Sequence, residues 1–213
     1  MADSLNDALI VAVTGGMGCG QSTVAGFFKK FGAKVISADD VARDLVDHDR
    51  EIRKLIQEDL GKQYFFRNGR VNRRLLGEAV FADERKLHIL NRIVHPRLVE
   101  KLIDEIESAR DTGKFRVIVI DAALVYEIRM ENMFDSIVVV SANYRNRAER
   151  IKARDKLSDA EIKNRINRQI PVPEKSRWAD FTIQNNQSLE ELEKRSYSVF
   201  RKLLNNAKKL KNI

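Results

Sequence analysis

The stretch Ala8-Leu9-Ile10-Val11-Ala12-Val13-Thr14-Gly15-Gly16-Met17-Gly18-Cys19-Gly20-Gln21-Ser22-Thr23 decides the fold. Its apolar start, through Thr14, reads as a buried strand. The residues from Ser22 to Phe31, with Val24, Phe27 and Phe28 on one side, read as a helix. The turn between them matches G-x-x-x-x-G-K-[ST] everywhere except at the lysine, where Gln21 stands. Glycines serve a physical need here: successive backbone N–H groups must converge on phosphate oxygens, and side chains would block the approach. The helix adds its positive N-terminal end, and the Ser22 hydroxyl is placed to ligate Mg²⁺. Gly18, Cys19, Gly20, Gln21, Ser22 and Thr23 are therefore the candidate phosphate-cradling residues. A glycine-rich turn that binds nothing is the bland alternative, and the spacing within a strand–turn–helix context argues against it. The order of glycines is wrong for the dinucleotide fingerprint G-x-G-x-x-G.

Outward from this loop, short apolar runs alternate with helical periodicity. Residues 34–36, 116–120, 136–140 and 179–183 supply four more strand candidates, and a helical stretch is expected from Asp39 to about Leu60. The two central runs are continuous and β-branched, as in strands covered on both faces. Alternation of this kind predicts an α/β fold with a mostly parallel sheet of about five strands. Ser188 with Glu191 forms a capping-box pattern for a terminal helix. Two segments lack strand patterns. In residues 69–110, Asn72 caps a short helix and Asp83 a longer one expected to kink or break near Pro96. Residues 145–177 hold eleven Lys and Arg against five acidic residues, a net of +6.

The chain has 213 residues, 43% hydrophobic and 33% charged, which suits one folded unit without disulfides or a structural metal. Its single cysteine, Cys19, excludes an internal disulfide and any multi-cysteine zinc site. His48, His88 and His95 have no close metal-ligand spacing. The net charge of +8 points to anionic partners. Most of that charge lies in 145–177 without an interleaved aromatic platform, so no nucleic-acid partner is expected. No segment has the length of a membrane span. The early apolar run follows Asp3 and Asp7 rather than a basic leader, so no membrane partner and a cytoplasmic location are expected.

Two acidic positions carry candidate chemistry. Val117-Ile118-Val119-Ile120-Asp121 is an apolar strand ending in an acid. In phosphate-loop proteins such an Asp holds Mg²⁺, directly or through water; the alternative is a cap on a following helix. Asp39, in Ile36-Ser37-Ala38-Asp39-Asp40, lies just past a strand end, where open α/β sheets bind ligands. The alternative is an N-cap, a role Ser37 fills equally well.

Taken together, these motifs resemble the dephospho-coenzyme A kinase family over nearly the whole chain. The strand and loop of Val11–Gly20 look like that family's opening. Val35-Ile36-Ser37-Ala38-Asp39-Asp40-Val41-Ala42-Arg43 is similar to its V-I-D-A-D-x-x-A-R segment. Gly69–Leu76, Val80-Phe81 and His95-Pro96 resemble its helical coenzyme-A-side region. Asp121–Glu127 resembles its D-x-P-L-L-[FY]-E stretch, with Ala123 at the usual proline. Arg150, Arg154 and Arg168-Gln169 look like its basic lid, and Ala179–Asn186 like its A-D-x-x-I-x-N-N strand. The resemblance implies a single P-loop kinase unit over 1–213, with a nucleoside-monophosphate-kinase-like core. Residues 69–110 would be the helical substrate insertion and 145–177 the helical lid. It also implies ATP and Mg²⁺ as cofactors and phosphorylation of the ribose 3′-hydroxyl of dephospho-coenzyme A. Asp39 and Arg154 would be catalytic, Arg43 and His95 substrate-binding, and Ser22 and Asp121 metal-binding. Two residues depart from the family: Ser37 replaces an aspartate, and Gln21 replaces the loop lysine. The second departure opens an alternative, a nucleotide-binding protein of the same fold whose catalysis is weakened or lost.

Overall fold

The computed structural model describes residues 8–210; Asp3 and Asp7 lie outside them. In chain order the elements are β1 Leu9–Gly15, α1 Gln21–Lys30, β2 Lys34–Ser37, α2 Ala38–His48, α3 Arg50–Asp59, α4 Arg73–Ala82, α5 Glu84–Asp111, β3 Val117–Asp121, β4 Ser136–Ser141, α6 Tyr144–Asp155, α7 Asp159–Asn167, α8 Val172–Trp178, β5 Phe181–Gln184 and α9 Leu189–Leu210. Short 3₁₀ turns occupy Lys62–Tyr64 and Glu131–Met133. The chain divides into two compact units: one runs through Ser37 and resumes at Ile106, and the other is Ala38–Glu105.

The first unit contains a five-stranded, all-parallel sheet in the order β2-β3-β1-β4-β5. Every residue of β1 and β3 is buried. Continuous burial means that both faces are covered, which explains runs of Val and Ile in place of alternation. Helices α1 and α9 pack on each other and on the sheet, with Phe28, Phe31, Tyr197 and Phe200 forming an aromatic cluster between them. Helix α8 packs on β4. The parallel register sets Val13 opposite Asp121, and Asp121 opposite Ser37. The carboxyl ends of the three strands that carry the sequence motifs therefore lie side by side.

The second unit is helical. Here the expected single helix from Asp39 to about Leu60 is two. Helix α2 ends at His48, and the Asp49 carboxylate accepts hydrogen bonds from Glu51 N (2.9 Å) and Ile52 N (3.0 Å), capping α3. Asn72 caps α4 through Leu75 N (3.2 Å), and Asp83 accepts from Arg85 N (2.9 Å) at the start of α5, as the spacing predicts. Helix α5, however, does not break at Pro96: it runs 28 residues through it. Proline removes one helical hydrogen bond. Burial of Ile93, Val94, Leu98 and Leu102 along the same helix outweighs that loss. At α9 only half of the expected capping box forms. Ser188 Oγ accepts from Glu191 N (3.3 Å), while the Glu191 carboxylate pairs with Arg195 (3.0 Å).

Candidate active site

The loop between β1 and α1 is shaped by two glycines at positive φ, Gly18 (77°) and Gly20 (88°), a region costly to any residue with a Cβ. Gly20 leads directly into α1, so the helix N-terminus opens onto the loop. Ser22 and Thr23 are exposed on the first turn, and Cys19 is buried. The loop is also wrapped from outside. Its carbonyl oxygens are taken in sequence: Gly15 by Lys175 Nζ (3.2 Å), Gly16 by Cys19 N (3.0 Å), Met17 by Arg147 Nε (2.9 Å), Gly18 by Arg150 Nη1 (3.3 Å), Cys19 by Asn185 Nδ2 (2.8 Å) and Gly20 by Val24 N (3.2 Å). Met17 N donates to Gln169 Oε1 (2.7 Å). With its carbonyls held outward, the loop is preorganised to present amides on its other side.

At position 21 the structure is specific. Gln21 Nε2 donates a hydrogen bond to Asp121 Oδ1 at the end of β3. The carboxylate is buried, and a run of turns follows it where a cap would require a helix. The capping alternative for Asp121 therefore falls away. An amide and a carboxylate face each other where a loop lysine would have placed an ion pair.

Arg154 lies on the same side of α6 as Arg147 and Arg150, at helical spacing. Its guanidinium forks onto its neighbour Asp155, through Nε to Oδ1 (2.7 Å) and Nη2 to Oδ2 (2.9 Å), and its side chain is 66% exposed. These bonds raise the Arg154 pKa and hold the Asp155 carboxyl below its ordinary range. Tyr126, in the turns after β3, packs edge-on against Trp178, and burial pushes its hydroxyl up to about 12.

In the second unit, Asp39 and Asp40 occupy the first turn of α2, where negative charge suits the helix end. Asp39 is the second residue of the helix, inside the first turn, so the N-cap alternative does not describe it. Arg43 pairs with Asp40 (2.7 Å), and both are exposed. This unit also holds an open cavity of about 760 Å³ whose lining includes His48, Arg53, Arg70, Arg73, Arg74 and Phe66. Neither Arg43 nor His95 lines it. His95 is half-buried on α5, and burial lowers its pKa from the ordinary 6.5. An unfolded chain then takes up a proton near pH 6.5 that the folded one resists, so stability falls as pH drops below 6.5. His95→Gln is expected to flatten the decline in thermal midpoint between pH 7.5 and about 5.5. An equally steep decline in the variant contradicts this.

Sequence reading missed the contacts that Lys175, Arg147, Gln169 and Asn185 make with the loop. Asn185 and Gln169 stand inside motifs quoted above, but nothing local marks them as loop contacts.

A parallel sheet, a glycine loop opening onto α1 and an acid ending the neighbouring strand define a P-loop nucleotide-binding fold. The chain belongs to the dephospho-CoA kinase family, whose model matches residues 9–191. A dephospho-CoA kinase from Bacillus licheniformis is 36% identical over 185 residues, covering 87% of this chain and 92% of the relative. The crystal structure of TT1252 from Thermus thermophilus is similar at a TM-score of 0.76 and 29% identity, covering 92% of this chain and 98% of the other. The dephospho-CoA kinase from Campylobacter jejuni aligns at a TM-score of 0.61 and 26% identity, with the same coverage. No helix among the described residues is long and apolar enough to cross a membrane.

Proposed function

We propose that this chain transfers the γ-phosphoryl group of ATP to the ribose 3′-hydroxyl of dephospho-coenzyme A, giving coenzyme A and ADP. Family membership over residues 9–191 carries the reading. The acceptor oxygen forms a bond to the γ-phosphorus while the bond to the β–γ bridging oxygen breaks. The hydroxyl proton passes to the Asp39 carboxylate. The amides of Gly18 to Thr23 and the α1 N-terminus receive the ATP phosphates. Ser22 and Asp121 offer a hydroxyl and a carboxylate oxygen, a donor set suited to a hard cation that shares its shell with nucleotide phosphates. Mg²⁺ held there would neutralise charge on the β- and γ-oxygens. Arg43 and His95 belong to the acceptor side. The basic cavity of the second unit, rich in arginine, suits the acceptor's diphosphate.

Arg154 is the lid arginine of this reading. Arg147 and Arg150 direct guanidinium donors at loop carbonyls, whereas the Arg154 guanidinium is 66% exposed and is held by one neighbouring carboxylate, Asp155, for which phosphate oxygens can substitute. Arg154→Ala is expected to lower kcat by about tenfold or more. Arg154→Lys should fall nearly as far, because an ammonium lacks the fork. Full activity in the lysine variant means that Arg154 acts only as a diffuse positive charge or is not at the site.

The direct test of function is ADP release in a coupled assay with ATP and dephospho-coenzyme A, with coenzyme A followed in parallel. Gln21 favours one second reading, a nucleotide-binding relative with weakened catalysis. ATP binding without turnover is its signature.

A further inference from the structure

Lys175, on α8, is fully buried, yet none of the sequence motifs calls for a lysine there. Its ammonium is surrounded by three oxygens: Gly15 O at 3.2 Å, Ala123 O at 3.0 Å and Glu127 Oε1 at 2.7 Å. Three donors thus meet three acceptors, the condition under which a buried charge is tolerated. The acceptors come from two places that a phosphate site must hold in register. Gly15 opens the phosphate loop, and Ala123 lies two residues past Asp121. The Ala123 oxygen also accepts from Thr14 Oγ1 (3.2 Å), and Glu127 Oε1 also accepts from Ile170 N (3.1 Å). The second Glu127 oxygen is buried with no hydrogen-bond partner among the described residues, so that carboxylate depends on Lys175 for compensation.

We propose that Lys175 is a positioning residue for the nucleotide, with Glu127 as its counter-charge. The peptide between Gly15 and Gly16 is planar and trans, so fixing the Gly15 carbonyl fixes the Gly16 N–H in the opposite direction. Lys175 thereby sets the orientation of the first loop amide. By holding Ala123 with the same ammonium, it ties that amide to the strand end that carries Asp121. Because Glu127 balances its charge, Lys175 does not replace the positive charge absent at position 21; it acts on the geometry of the loop rather than on a phosphate oxygen. The inference rests on the loop being the ATP site, as proposed above.

The experiment is ATP binding by titration calorimetry with no acceptor present, alongside the thermal midpoint, for Lys175→Met, Lys175→Arg and the double variant Lys175→Met with Glu127→Gln. The double variant removes both charges together, so it avoids stranding a buried carboxylate. The expected result is an ATP Kd raised by about tenfold or more in Lys175→Met and in the double variant, with the double variant's thermal midpoint close to the parent's. In turnover assays the KM for ATP should rise likewise, while the KM for dephospho-coenzyme A stays within about twofold. Lys175→Arg should recover part of the affinity, since a guanidinium still reaches carbonyl acceptors. A double variant that folds and binds ATP within about twofold of the parent overturns the proposal. So does a loss of kcat that tracks the folded fraction with both KM values unchanged. The affinity readout needs no acceptor. A parent that binds ATP without phosphorylating dephospho-coenzyme A therefore fails the functional reading alone.

Discussion

Asp39→Asn is expected to lower turnover by about 10²–10⁴, the range for a positioned acid–base group. The substitution keeps the shape and a hydrogen-bonding oxygen but removes the proton acceptor. It lies on the first turn of α2 rather than on the phosphate loop, so ATP affinity should change by no more than about twofold. An amide there also gives up part of the favourable interaction between an acid and the helix N-terminus, a few tenths of a kcal/mol up to about 1 kcal/mol. That loss is too small to unfold the protein and produce a false positive. Turnover and ATP affinity measured on the same preparation decide the matter. Unchanged kcat excludes the proton-accepting role.

The second large effect is expected from Gln21→Lys. A preorganised electrostatic group at a transition state is worth on the order of 3–4 kcal/mol, or about 10²–10³ in rate. The structure modifies that expectation. Gln21 already donates to Asp121, so a lysine enters opposite a carboxylate that can pair with it. The loop is also backed by Lys175, Arg147 and Arg150 through its carbonyls. A gain of about tenfold or more is therefore expected, at the low end of or somewhat below the full value. Such a gain in ADP and coenzyme A production identifies the parent as a weakened kinase with an intact loop. No gain over a parent already turning over at an ordinary kinase rate, about 1–100 s⁻¹, means that another cation has taken the role. Silence in both forms, with ATP bound, selects the non-catalytic reading.

How far these features could be read from the chain follows from where the information sits. The loop and the β1, β3 and β4 strands were legible because each is a local pattern: glycine spacing, or a continuous β-branched run. Asp121 was legible as a strand-terminal acid, and only the turns after β3 separated its two readings. The break at Asp49 was not legible. The amphipathic pattern continues across it, and an aspartate in that pattern looks the same whether it caps or faces water. At Pro96 the local rule lost to tertiary burial along α5. Lys175 was hidden for a different reason. One lysine among eleven basic residues in 145–177 reads as solvated charge, and nothing in its neighbours shows that its oxygens come from segments 52 and 160 positions away. The count of +6 was a sound pointer to a basic segment, but part of that charge holds the loop together from within.

The close packing of the phosphate loop has a consequence for inheritance. A methyl group on Gly15 would sit 2.7 Å from the Val140 carbonyl oxygen, one on Gly16 2.5 Å from Val172 Cγ2, and one on Gly18 2.8 Å from the Arg147 carbonyl oxygen. These glycines are demanded by the folded chain before any nucleotide arrives. A descendant that ceased to turn over substrate would still be under selection to keep them, for as long as it needed to fold. The glycine signature therefore testifies to the fold's persistence. Testimony about chemistry must come from exposed positions, Ser22 and Asp39 first among them.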